Sequence, residues 1–240
     1  MRFLIAAILF VGAQISSAMT PIHQHVYSTA QAVSAFYMYE LSEGDKKYLK
    51  QFKKHQLLAS QALNNSSELE QKLFLQDWSE FQPYWKFNFV KGVGLNLDSV
   101  IRNDVRRYLT DVFLYIQKLP THQSVVDAKM QNINLSTAML SARLLDVVAT
   151  QNGSIVLTEH ERQVNEIELA DVVQLNIDQL LKLGLPKAQN ASVRKVNTKF
   201  GFVKKSLINY DEITPYFLVY KNIMSIGQLL RTDTQGLAGS

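Results

Sequence analysis

A ridge of arginines and a run of aromatics around two tryptophans are parts of this chain with side chains suited to hold a ligand. Arg102, Arg106 and Arg107 are expected on one side of a helix, with Arg102 and Arg106 four apart. A guanidinium presents a planar fork of donors that matches carboxylate and phosphate oxygens. Such a ridge can receive an anionic ligand or an acidic partner. It can equally be the solvated face of an amphipathic helix, neutralised by Asp104 and Asp111. Trp78 and Trp85 anchor an aromatic run with Phe81, Tyr84, Phe87 and Phe89. Aromatics with polar tips line pockets and partner surfaces, and they also pack around a helix kink such as Pro83 would impose.

Other chemistries lack their parts. There is no cysteine, which removes thiolate catalysis, Cys-based zinc sites and covalent haem attachment. None of the five histidines, His23, His25, His55, His122 and His160, follows a Glu at the three-residue spacing of carboxylate-bridged metal bundles. Met38, Met130, Met139 and Met224 could ligate a non-covalent haem, but helical methionine is ordinary core filling. No Gly-x-Ser-x-Gly elbow or phosphate-cradling glycine loop occurs among the ten glycines. The expectation is a non-enzymatic protein with no metal and no cofactor. Acid/base carboxylates that meet only in space keep a cofactor-carrying or enzymatic bundle as the alternative.

The elements that position these residues read as helices throughout. Glycine and the five prolines fall mostly between long stretches of 3.6-residue periodicity, which predicts an all-α fold of about eight helices. The first, Val26 to Leu41, repeats apolar residues at Val26, Ala30, Val33, Tyr37 and Leu41, which predicts one buried face. Asp45 caps a second reaching Leu63, whose Lys46, Lys47, Lys50, Lys53 and Lys54 line the outer face. A third starts near Glu68 and runs past Pro83 towards Gly92, and Asp98 caps a fourth that Pro120 stops. A fifth runs from a Ser124 cap to Ala149. Thr158 caps a sixth reaching Gly184, a seventh covers Ser192 to Ile208, and an eighth Pro215 to Leu230. The antiparallel bundle divides into two consecutive four-helix units, 19–120 and 121–233, followed by a tail, 234–240. Ser28-Thr29-Ala30 in the first helix and Ser136-Thr137-Ala138 in the fifth suggest that the halves repeat.

The N-terminus reads as an export signal. Arg2, the apolar stretch Phe3 to Ala13 and the small-residue exit Ser16-Ser17-Ala18 predict a signal peptide, residues 1–18, cleaved after Ala18. The apolar stretch is about half of the roughly twenty residues that span a bilayer. The mature chain is expected in the periplasm as a soluble protein. The full sequence's hydrophobic content of 47% and charged content of 19% suit a packed core rather than disorder. Loss of Arg2 leaves a net charge of only +3, which does not point to nucleic acid.

The segment Ile133-Asn134-Leu135-Ser136-Thr137-Ala138-Met139-Leu140-Ser141-Ala142-Arg143-Leu144-Leu145 carries a Met-x-Ser-x-Arg core at Met139, Ser141 and Arg143. It resembles the first helix of the periplasmic sensor bundles of type IV pilus methyl-accepting chemotaxis transducers and nitrate/nitrite sensor kinases. The resemblance implies a sensory bundle without catalysis. It departs where the nitrate sensors carry an upstream, anion-holding Arg, because Ala138 takes that place.

The function expected is therefore an exported, sensor-like binding module. Arg143, Arg102 and Arg106 are its ligand-facing residues, with Trp78 and Trp85 as an aromatic wall. The expected partners are a small anionic ligand or a membrane-bound signalling protein, with pairing of two copies left open. A structural or chaperone-like protein is the third class, and it would show a continuous exposed apolar groove.

Overall fold

The computed structural model describes residues 19–81, 99–120, 123–150, 157–209 and 215–235. The expected signal peptide, Trp85, the Pro83 kink, the Asp98 cap, His122, Asn152-Gly153 and residues 236–240 of the tail lie outside the described residues, while 234–235 of the expected tail continue the last helix. All regular structure described is helical, with no strand: α1 (Pro21–Leu41), α2 (Lys46–Asn64), α3 (Glu68–Phe81), α4 (Ser99–Gln117), α5 (Val125–Ala149), α6 (Glu166–Lys182), α7 (Lys187–Ile208) and α8 (Tyr216–Gln235).

Local chemistry sets most of these boundaries. The Asp45 carboxylate accepts from the Lys47 amide at 2.9 Å and starts α2. Ser67 and Glu70 form a reciprocal capping box at the head of α3: the Ser67 amide and hydroxyl each donate to Glu70 Oε2 at 2.8 Å. Ser124 Oγ accepts from the Asp127 amide and starts α5 at the expected residue. At Thr158 the outcome differs. Thr158 and Glu161 bond each other reciprocally, and only a single 3-10 turn, Glu161–Gln163, follows in place of the expected helix start. The chain then extends through Val164, and Asn165 recaps α6 by accepting from Ile167 and Glu168.

Two helices form the centre. Sixteen side chains of α1 and sixteen of α5 are buried, too many for a single stripe. The one buried face expected of the first helix is thus a helix buried all round. Its intervening polar positions, Ser28, Thr29, Gln31 and Ser34, are uncharged and small enough to enclose. The two helices run parallel: Tyr27 and Asn134 meet around Gly227, Ser34 Oγ lies 3.3 Å from Ser141 Oγ, and Tyr37 bonds Asp146 farther along.

Two apolar clusters flank this pair. One gathers α1, α2, α3, α4 and one side of α5, through Phe36, Phe52, Trp78, Val112, Met139 and Leu145 among others. The second gathers α6, α7, α8 and the other side of α5, through Ile133, Leu140, Ile177, Phe200 and Ile226. The lysines of α2 are exposed, as their periodicity predicts.

Candidate functional site

Arg102, Arg106 and Arg143 come together, but in the interior. Each is 9% exposed or less. Arg102, on the first turn of α4, reaches Glu40 at the end of α1 (3.0 Å) and Thr150 Oγ1 past the end of α5 (2.6 Å). One turn on, Arg106 Nε donates to Asp146 Oδ2 at 2.6 Å, and its Nη1 lies 3.7 Å from Glu161. Arg143 Nη1 donates to the Val164 carbonyl (2.7 Å) and Glu166 (2.6 Å), and its Nη2 to the Glu161 carbonyl (2.6 Å). Arg143 therefore ties the extended segment between the 3-10 turn and α6 to the central helix.

Three guanidinium charges face four carboxylates, those of Glu40, Asp146, Glu161 and Glu166. The void walled by Tyr37, Arg106, Arg143 and Asp146 measures about 10 Å³, enough for one water. Beside it Arg143 Nε, Asp146 Oδ1 and Glu161 Oε1 have no hydrogen-bond partner. Burial and the neighbouring Asp146 carboxylate push the Tyr37 hydroxyl well above its ordinary pKa, and burial raises Glu40. The network holds the ends of α1, α4 and α5 together, with each arginine paired to at least one carboxylate.

The third member of the arginine run points elsewhere. Arg107 is exposed and pairs with Asp104 at 2.8 Å, while Asp111 binds His160 at 2.6 Å. A four-residue spacing put Arg102 and Arg106 on one face correctly. That the face turns inward depends on Glu40, Asp146 and Glu161, which sequence separation hides.

Trp78 is 2% exposed and belongs to a buried aromatic group. Its indole N–H donates to Ser60 Oγ at 2.9 Å, its ring stacks on Tyr108, and His25 meets it edge-on at 5.1 Å. His25 Nδ1 donates to the Ala59 carbonyl at 2.9 Å, which leaves Nε2 to accept from the Tyr108 hydroxyl at 2.7 Å. Burial lowers the His25 pKa to about 4, so this imidazole is neutral at physiological pH.

A cleft that the sequence did not single out opens between α4, α5 and α6 and encloses about 170 Å³. Phe113, Val164 and Leu169 give it an apolar floor, with Val172 on one wall. Gln117, Asn132, Gln163 and Asn165 bring amides to it, and Glu168 brings its one charge. The wall made by Gln163, Val164 and Asn165 is the segment that Arg143 pins. The only signal in the sequence was Asn132 and Ser136, polar groups one turn apart in an apolar helix; Ser136 donates to Asn132 at 3.1 Å.

Among the described residues no group of three or more His, Asp or Glu side chains is arranged to hold a metal ion. No described helix is long and apolar enough to cross a membrane. Comparison with protein-family models, with curated proteins and with solved structures gives no match.

Proposed function

We propose that this protein is an exported, non-enzymatic binding module that takes a small ligand in the cleft between α4, α5 and α6. The observation that carries this reading is the composition of the cleft. An apolar floor ringed by amides matches the usual make-up of small-molecule sites, in which a few polar groups orient a largely apolar ligand. Supporting it, the arginines expected to face a ligand are paired with carboxylates, and the void beside them, about 10 Å³, has room for no more than one water. In this reading Arg143 acts one step back, as the residue that sets the cleft wall. Output passes to a membrane-bound signalling protein, the partner class that the sensor-bundle resemblance implies.

Native mass spectrometry of the protein purified from a periplasmic fraction tests this. The expected result is a chain beginning at Met19 that carries a small-molecule mass, with that mass lost in Val172→Trp, which fills the cleft. Retention of the same mass in the variant, or a bare chain in both, overturns it.

A further inference from the structure

We infer that the cleft selects a compact apolar primary amine, its hydrocarbon on the Phe113 and Val164 floor and its ammonium at Glu168. This rests on the reading of the cleft as the binding site and adds the chemical class of the ligand.

The charges around the cleft support it. Glu166 and Glu161 are drawn into the network by Arg143 and Arg106, so their charge is compensated away from the opening. Glu168 is exposed and lines the cleft, and no described residue pairs with its carboxylate. No lysine or arginine lines the cleft. An anion would meet an uncompensated carboxylate with no cation to receive it, whereas an ammonium would complete a charge-assisted hydrogen bond.

The neutral groups narrow the ligand further. Asn165 Oδ1 is consumed in capping α6, and Asn132 Oδ1 accepts from Ser136. Among the lining acceptors, the Gln117 and Gln163 amide oxygens and the Glu168 carboxylate remain uncommitted, and of these only Glu168 carries a charge. Size sets the rest: a cavity near 150 Å³ accepts a benzene-sized group, so about 170 Å³ admits one ring or branched alkyl group with a short arm. A ligand this small binds in the micromolar to millimolar range.

Isothermal titration of the full chain with benzylamine, benzyl alcohol and benzoate tests the assignment, because the three share a ring and differ in charge. Benzylamine is expected to bind about fivefold more tightly than benzyl alcohol, as suits a partly solvated ion pair, and benzoate weakest. In Glu168→Gln, benzylamine falls to the level of the alcohol. Val172→Trp, and independently Gln117→Trp at the exposed rim, abolish binding of all three while thermal unfolding stays cooperative. Benzyl alcohol or benzoate binding as tightly as benzylamine, or an unchanged benzylamine affinity in Glu168→Gln, overturns the amine assignment and leaves the cleft as the site. Failure of all three to bind, or binding that neither tryptophan variant disturbs, overturns the cleft reading and the amine assignment with it.

Discussion

Ser34 and Ser141 meet hydroxyl to hydroxyl at 3.3 Å in the centre of the bundle, one from each half of the chain. They mark where α1 and α5 run parallel and side by side, both enclosed on every face. The Ser-Thr-Ala triplets that suggested a repeat lie on these same two helices, one on each. Small side chains are what let two fully buried helices approach, since each contact leaves little volume to fill.

Enlarging either serine should force the central helices apart. Ser34→Leu or Ser141→Leu is expected to cost about 1–3 kcal/mol or more by overpacking. Ser34→Ala/Ser141→Ala, which removes both partners of the hydrogen bond, should stay within about 1 kcal/mol of wild type. Urea unfolding of the three proteins checks the contrast.

Arg143 should be a major determinant of stability. Arg143→Met leaves Glu166 without its ion-pair partner and strips the Glu161 and Val164 carbonyls of their donor, so a loss of about 3–5 kcal/mol is expected. Arg143→Lys should recover only a minor part, because one ammonium cannot span the three acceptors that the guanidinium fork reaches. Chemical denaturation measures both. If Arg143→Met unfolds at the wild-type urea midpoint, the pinning role fails.

His25 makes stability depend on pH with a definite sign. Its folded pKa, about 4, lies below the ordinary value of 6.5, so between these values the unfolded chain binds the extra proton. Stability therefore falls as pH drops from 6.5 towards 4, by up to about 3 kcal/mol from this group. Unfolding free energies across that range, wild type against His25→Gln, should show the wild-type slope to be steeper by up to one proton.

Gly227 is fixed by crowding rather than by backbone conformation. A Cβ there would stand 2.4 Å from the Tyr27 hydroxyl and 3.7 Å from Asn134 Oδ1. Gly227→Ala should lose about 1–3 kcal/mol through overpacking, less the gain in helix propensity. In the Tyr27→Phe background the same substitution should cost at least about 1 kcal/mol less, and a double-mutant cycle by thermal unfolding reads that coupling.

By itself the sequence determined the all-helical character and most helix boundaries, the start of α6 excepted. Local signals, such as apolar spacing along α4, the Asp45, Ser67 and Ser124 caps and the scarcity of glycine and proline, act within one or two turns and survive without tertiary context. The same locality put Arg102 and Arg106 on one face and the α2 lysines on the outside. Only the tertiary structure decided which way the arginine face turned, because its partners Glu40 and Asp146 lie 62 and 40 residues away. It also decided that α1 is enclosed on all sides: a helix buried all round has no polar stripe for periodicity to find. The cleft was the least legible feature. Its lining comes from α4, α5, α6 and the turn before α6, and amides that are ordinary surface residues within each helix become a site only where the three helices leave a gap.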